Sequence, residues 1–259
     1  MSSYRDGVDT VIESEGLRLR GYLARPPGSS GRPGVTRHGL VLCHGFPSGP
    51  RGAATAAQTY PELAERLAAD AGWVVLAFNL RGTGDSEGDF SLGGWLTDLR
   101  RAIDALLEAP DVDRVWLAGF STGGSLALCA AGEDERVGGV ASLAAPADFD
   151  AWASDARRFL EHARTIGVIR DKAFPASVEA WTRELREIRP LALIGKVPPR
   201  PVLLVHGSND ETVSLVDSRA LADAAEGEVE LRILPGAGHR LRHDPRAVAV
   251  LLGWLDRQL

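Results

Sequence analysis

The stretch Val115-Trp116-Leu117-Ala118-Gly119-Phe120-Ser121-Thr122-Gly123-Gly124 decides the fold. Its first four residues form a short apolar run of the buried-strand type, and the apolar segment from Thr122 to Ala131 reads as a helix. Between them, Gly119-Phe120-Ser121-Thr122-Gly123 has the G-x-S-x-G pattern of a sharp strand-to-helix turn. Gly119 and Gly123 leave room for the turn that raises the serine hydroxyl above a sheet, and Gly124 lets the helix approach the neighbouring strand. The 18 residues from Val115 to Gly132 carry no charge, enough to ask whether they cross a membrane. The glycines and hydroxyls in their middle favour a strand, a turn and a buried helix instead.

The same alternation extends in both directions. Leu40 to Cys43, Trp73 to Phe78, Val137 to Leu143, Val202 to His206 and Val229 to Leu234 are further buried-strand runs. Helical segments lie among them at Tyr60 to Ala69, Gly94 to Glu108, Leu215 to Ala225 and Pro245 to Leu259. Apolar residues recur at three and four in them, as in Leu99, Ile103, Leu106 and Leu107. Alternating strand and helix predicts an α/β fold, a mostly parallel sheet covered on both faces. Val8 to Glu13 and Leu17 to Leu23, about the turn Ser14-Glu15-Gly16, predict an antiparallel hairpin opening the sheet. The stretch from Pro26 to Gly39 reads as an exposed loop.

Residues 147–200 are too long for a plain crossover and rich in aromatics: Phe149, Trp152, Phe159, Phe174 and Trp181. They divide into two expected helices, Phe149 to Ile166 and Ser177 to Ile188, read as a small helical lid inserted in one domain that spans residues 1–259.

Composition narrows the function classes. Of the 259 residues, 44% are hydrophobic and 25% charged, which supports a sizeable core. A net charge of −6 with mixed signs leaves no footprint for nucleic acid or an anionic membrane. The first residues carry both charge signs with no apolar segment behind them, which argues against a secretory leader and predicts a cytoplasmic location. Cys43 and Cys129 fall inside buried elements with no metal-ligand spacing and read as inert core thiols.

A serine hydroxyl is a weak nucleophile and needs a base to take its proton and an acid to orient that base. Asp210 follows the strand ending Val205-His206-Gly207, and His239 follows Gly236-Ala237-Gly238 after the last strand. Serine, then acid, then histidine is the chain order of a nucleophile-elbow fold, so Ser121, Asp210 and His239 are the candidate catalytic residues. Glu211 and Asp148 are alternative acids and His243 is an alternative base. His206 reads as a core histidine satisfied by neighbouring backbone, and His38 and His162 have no motif context. An oxyanion needs two donors. Thr122 N–H supplies one; the turn His44-Gly45-Phe46-Pro47 supplies the other through Phe46, since Pro47 has no N–H. Every group such chemistry requires comes from protein, so no metal or organic cofactor is expected.

These motifs resemble those of the α/β-hydrolase superfamily over nearly the whole chain. The likeness includes the elbow, the His44-Gly45-Phe46 turn, the segment from Asn79 to Gly88, Asp210 with Val213 three residues on, and the Gly238-His239 pair. It implies a central sheet of about eight strands with helices on both faces, and a structural role for Arg81, Asp85 and Ser86 in the wall of the site. Within the superfamily the chain is similar to small esterases near the dienelactone hydrolases, feruloyl esterases and acylaminoacyl-peptidase catalytic domains. Ser121 stands where dienelactone hydrolases carry cysteine and haloalkane dehalogenases aspartate. The resemblance implies a small-molecule ester as substrate, and leaves a homodimer open. Trp152, Phe159 and Trp181 of the lid are expected to line an apolar pocket for short or medium acyl or aryl esters. Thioester, amide or carbon–carbon cleavage, acyl transfer, and a non-catalytic ligand-binding role on the same fold are the alternatives.

Overall fold

The computed structural model describes residues 7–28, 36–49 and 52–259, so the first six residues and residues 29–35 of the expected loop from Pro26 to Gly39 lie outside the described residues. Among these residues eight strands, β1 (Val8–Ser14), β2 (Leu17–Ala24), β3 (Arg37–Cys43), β4 (Val74–Phe78), β5 (Val112–Phe120), β6 (Val137–Leu143), β7 (Val202–Gly207) and β8 (Glu230–Leu234), form one sheet. Their order is β1-β2-β4-β3-β5-β6-β7-β8. The β1–β2 hairpin is antiparallel and β2 runs antiparallel to β4, while every pairing from β4 to β8 is parallel.

Among the described residues ten α-helices connect or cover these strands: α1 (Gly52–Thr55), α2 (Tyr60–Ala71), α3 (Leu92–Leu107), α4 (Thr122–Glu133), α5 (Asp150–Ser154), α6 (Ala156–Ile166), α7 (Val178–Glu187), α8 (Pro190–Leu193), α9 (Leu215–Ala224) and α10 (Pro245–Asp256). Side-chain caps fix several of them: Ser91 accepts from Gly94 N–H at the start of α3, and Asp244 from Arg246 N–H at the start of α10. Alternation along each strand divides the core in two. Val41 and Cys43 of β3 face α3, α4 and the helices between β6 and β7, whereas Leu40 and Leu42 face α2 and α10. No helix among the described residues is long and apolar enough to cross a membrane. The uncharged stretch from Val115 is β5 running into α4, whose residues from Thr122 to Ala131 are all buried.

Parallel register brings the functional loops to one edge. Cys43 pairs with Gly119, Phe120 with Leu143, Leu143 with Val205 and Gly207 with Leu234, so β3, β5, β6, β7 and β8 all end on the same side. Residues that follow those strands therefore meet there.

Two expectations require correction. β3 begins at Arg37, inside the segment expected to be loop. The polar His38 is accepted there because its ring packs 5.1 Å from Trp73 and 4.3 Å from Trp116 while Nδ1 bonds Asp113 at 2.9 Å. The expected helix from Phe149 to Ile166 is two helices. Asp155 breaks it at φ −131°, ψ 58° and caps α6 by accepting from Arg158 N–H.

Candidate active site

Ser121 sits at φ 53°, ψ −128° between β5 and α4, a conformation that costs a residue with a β-carbon about 1–3 kcal/mol. The surroundings enforce it. A Cβ on Gly119 would fall 2.2 Å from the Gly123 carbonyl oxygen, and one on Gly123 would fall 2.4 Å from that of His44. Only glycine admits this crossing of strand, helix and the loop after β3. Ser121 N–H is already bonded to the Leu143 carbonyl at 2.8 Å, which ties the elbow to β6.

Ser121 Oγ lies 3.0 Å from His239 Nε2, and His239 Nδ1 lies 2.9 Å from Asp210 Oδ2. The Asp210 side chain is wholly buried, whereas that of His239 is 23% exposed, so the imidazole remains within reach of solvent. The other carboxylate oxygen, Oδ1, accepts from Thr212 N–H at 2.8 Å and Val213 N–H at 2.9 Å. Backbone contacts lace the loops of acid and base together: Asn209 N–H donates to Ala237 O and Ser208 N–H to Leu234 O. With Nδ1–H directed to Asp210, Nε2 presents its lone pair to the serine hydroxyl.

Phe46 and Thr122 line the same cavity as Ser121, and neither backbone N–H has an acceptor among the described residues. Thr122 opens α4, where such donors are left over by the helix. Gly45 lets the Phe46 loop close in, since a Cβ there would lie 2.8 Å from that of Ser121. His44 braces the loop from beneath. Its Nδ1–H donates to Gly45 O at 2.8 Å and its Nε2 accepts from Leu80 N–H at 3.1 Å, so the buried ring is a neutral, single tautomer. Burial drives its pKa down to about 4, partly offset by the Gly45 hydrogen bond. Sequence motifs single out the His-Gly turn but do not identify this brace.

The cavity holds about 890 Å³. Phe46, Phe149, Trp152, Phe159 and His162 line it, with Trp152 and Phe159 stacked at 4.2 Å. Asp148, Asp217, Arg240 and Arg242 line it too. Burial, then the negative charge of Asp148, raises the Asp217 carboxyl above its ordinary range. Trp181 does not reach the cavity. It lies behind Phe159 at 5.6 Å with its indole N–H bonded to Phe90 O, which corrects its expected place in the pocket.

Among the described residues, none of the alternatives for acid and base hydrogen-bonds His239 or Ser121. Asp148 accepts from Asp150 N–H, Glu211 is exposed, and the exposed His243 does not line the cavity. His206 is buried as expected, but a side chain, Ser218, holds one ring nitrogen and a carbonyl the other. Burial pushes the Cys129 thiol up to about 12 and raises Cys43 further, consistent with unreactive core thiols. Among the described residues no cluster of three or more His, Cys, Asp or Glu could hold a metal ion.

Residues 40–251, which carry the elbow and both partner loops, match the Alpha/beta hydrolase family. The chain belongs to that family. This alpha/beta hydrolase is 28% identical to the uncharacterized protein YfhR of Escherichia coli over 167 residues, 64% of this chain and 52% of that protein. The chain thus spans about half the length of the YfhR proteins it matches. It is 29% identical over 215 residues to the uncharacterized peptidase YtmA of Bacillus subtilis, covering 81% of this chain and 76% of that one. Among solved structures, the alpha/beta hydrolase GrgF from Penicillium sp. sh18 superposes with a TM-score of 0.73 at 22% identity, covering 97% of this chain and 98% of that one. Est1E from Butyrivibrio proteoclasticus gives 0.67 at 22% identity over 96% of each chain. At these identities the likeness to solved structures is one of fold.

Proposed function

We propose that this alpha/beta hydrolase is a serine hydrolase that cleaves carboxylic esters of short or medium acyl or aryl groups through an acyl-enzyme. The observation that carries the reading is the unbroken chain Ser121 Oγ, His239, Asp210, at 3.0 and 2.9 Å, opening into the cavity lined by Phe46 and Thr122. His239 Nε2 takes the hydroxyl proton as Oγ bonds the ester carbon. The carbonyl electron pair moves onto oxygen, where the N–H groups of Phe46 and Thr122 receive it. Collapse expels the alcohol, which leaves with the proton from His239. Water then attacks the acyl-enzyme, gives a proton to His239, and frees the acid as Oγ is reprotonated.

The stacked Trp152 and Phe159 support an apolar or aryl group on the substrate, and the helices from α5 to α7 act as its lid. That one structure of Est1E holds ferulic acid is in keeping with an aryl ester. The likeness to YtmA, named a peptidase, makes an activated amide the second substrate to try.

The test is reaction with a fluorophosphonate probe, followed by mass spectrometry of the labelled peptide and assays on p-nitrophenyl acetate and an aminoacyl anilide. Labelling confined to Ser121, lost in Ser121→Ala together with ester turnover, is expected. A folded wild-type protein that neither labels nor turns over would sink the proposal.

A further inference from the structure

We propose that His206 is a positioning residue of this site, a fourth link that clamps the Asp210 carboxylate in line with His239. The inference rests on the acyl-transfer reading above. His206 Nε2 lies 3.3 Å from Asp210 Oδ2, the same oxygen that accepts from His239 Nδ1 at 2.9 Å. Both side chains are wholly buried.

Hydrogen bonding fixes the ring. Nε2 stands 3.0 Å from the Val213 carbonyl oxygen, which can only accept, so the hydrogen is on Nε2. Nδ1, 2.6 Å from Ser218 Oγ, then accepts from that hydroxyl. One N–H is thereby directed between Val213 O and Asp210 Oδ2. The ring ties together three elements that must agree for the acid to be placed: β7, which carries His206; the loop bearing Asp210 and Val213; and α9, which carries Ser218.

The carboxylate is therefore held on every side. Backbone N–H groups of Thr212 and Val213 hold Oδ1; the two imidazoles flank Oδ2. In a buried site a carboxylate that lost one donor would shift toward the remaining one and bind its proton more firmly. His206 thus sets where Oδ2 lies and how strongly it draws on His239 Nδ1–H. Asp148 and Asp217 are the other carboxylates near this cluster, and Asp217 feels the charge of both Asp148 and Asp210. Any buried histidine needs its two nitrogens satisfied, which Ser218 and the Val213 carbonyl already do; the further approach of Nε2 to Asp210 Oδ2 is what packing alone does not require.

The test compares His206→Leu, which removes the donor, with His206→Gln, whose amide can restore a donor near Nε2, and with Ser218→Ala, which removes the hydroxyl that holds Nδ1. For His206→Leu we expect kcat on p-nitrophenyl acetate to fall about 10- to 100-fold with KM little changed, as for other small misplacements of a catalytic group. The acid limb of its rate–pH profile should move up by about half a unit. His206→Gln should recover to within about threefold, and Ser218→Ala should fall between the two. The low-field proton resonance of His239 Nδ1–H gives a readout free of turnover: it should shift in His206→Leu and return in His206→Gln. Wild-type kcat, limb and resonance in a folded His206→Leu would overturn the proposal. So would equal losses in Leu and Gln variants with the resonance unmoved, which would make the role one of shape. Should the wild type itself prove inactive and unlabelled, the acyl-transfer reading falls, while the resonance still decides whether His206 positions Asp210.

Discussion

The backbone N–H of Leu80 donates to Nε2 of His44 at 3.1 Å, across 36 residues of chain. The contact anchors the loop that carries Phe46 to the segment after β4, and it is available only to a neutral imidazole. A second proton on Nε2 would meet the Leu80 N–H and break this contact, with only Thr83 Oγ1, 3.2 Å away, to accept it.

Acid should therefore weaken the fold through His44. Its pKa is lowered from about 6.5 to about 4 by burial. In the unfolded chain the ring protonates below about 6.5, while in the folded protein it resists until about 4, so the unfolded state binds more protons in that window. Stability contributed by the neutral ring is full above 6.5 and is lost as pH falls toward 4, by up to about 3 kcal/mol. Urea unfolding at pH 7.5 and pH 5.0 should show the loss, and His44→Asn, with no titrating group, should show a shallower one. Equal slopes for the two proteins would refute the assignment.

The two tryptophans expected in the pocket should behave differently. Trp152 lines the cavity against Phe159, so Trp152→Ala should change the ratio of rates on acetyl, butyryl and aryl esters while leaving most of the stability. Trp181 is buried with its N–H satisfied by Phe90 O. Trp181→Ala should cost about 3–5 kcal/mol and leave substrate preference alone once the protein is folded. Thermal melts with an acyl-length series separate the two.

Much of the architecture is legible in the sequence because burial on both faces of a parallel sheet forces unbroken apolar runs. Val137 to Leu143 is a strand in full, every residue buried. The order Ser121, Asp210, His239 is legible because each follows a strand that ends at the same edge. The break at Asp155 is less so, since only the cap to Arg158 N–H distinguishes it from a helix interior, although Asp before an amphipathic run is a start signal. Which lid aromatics face the cavity depends on how α6 and α7 pack, and Trp181 shows that composition does not supply it. Asp98 carried a clue in plain view. It lies on the buried stripe of α3 with Trp95, Leu99 and Ala102, where a charge demands a partner.

That partner is Arg81, joined to Asp98 by bonds of 2.7 to 3.1 Å, with Ser14 Oγ–H also donating to the carboxylate. Asp98→Ala should destabilise the protein by about 3–5 kcal/mol, because it strands a largely buried guanidinium. Glu15→Ala, at the exposed end of the same Arg81, should cost at most about 1 kcal/mol. Chemical denaturation of both variants checks the contrast, and similar costs would contradict it.

The elbow should trade stability for chemistry. Ser121→Ala keeps a β-carbon at φ 53°, whereas Ser121→Gly relieves it, so the glycine variant should be the more stable by about 1 kcal/mol. Both should be inactive. A glycine variant no more stable than the alanine variant would show that the turn is not strained.

Asp210→Asn tests the chain of hydrogen bonds with the least change of shape. An amide keeps one oxygen for the Thr212 and Val213 N–H groups, so the loop should hold. Its NH2 then faces His239 Nδ1, which must accept instead of donate. That places the imidazole proton on Nε2, pointing at Ser121 Oγ, where a base is required. Ester turnover should fall about 10³- to 10⁴-fold in kcat with KM little altered, and the melting temperature should drop modestly because the NH2 also meets His206 Nε2–H. Raising the pH should not restore it, because the defect is the tautomer and not the charge. Asp148 and Glu211, the other acids suggested by the sequence, make no hydrogen bond to His239, so Asp148→Asn and Glu211→Gln should leave kcat within about threefold of wild type. A large loss in either of those, or near-normal turnover in Asp210→Asn, would transfer the role of acid to another residue.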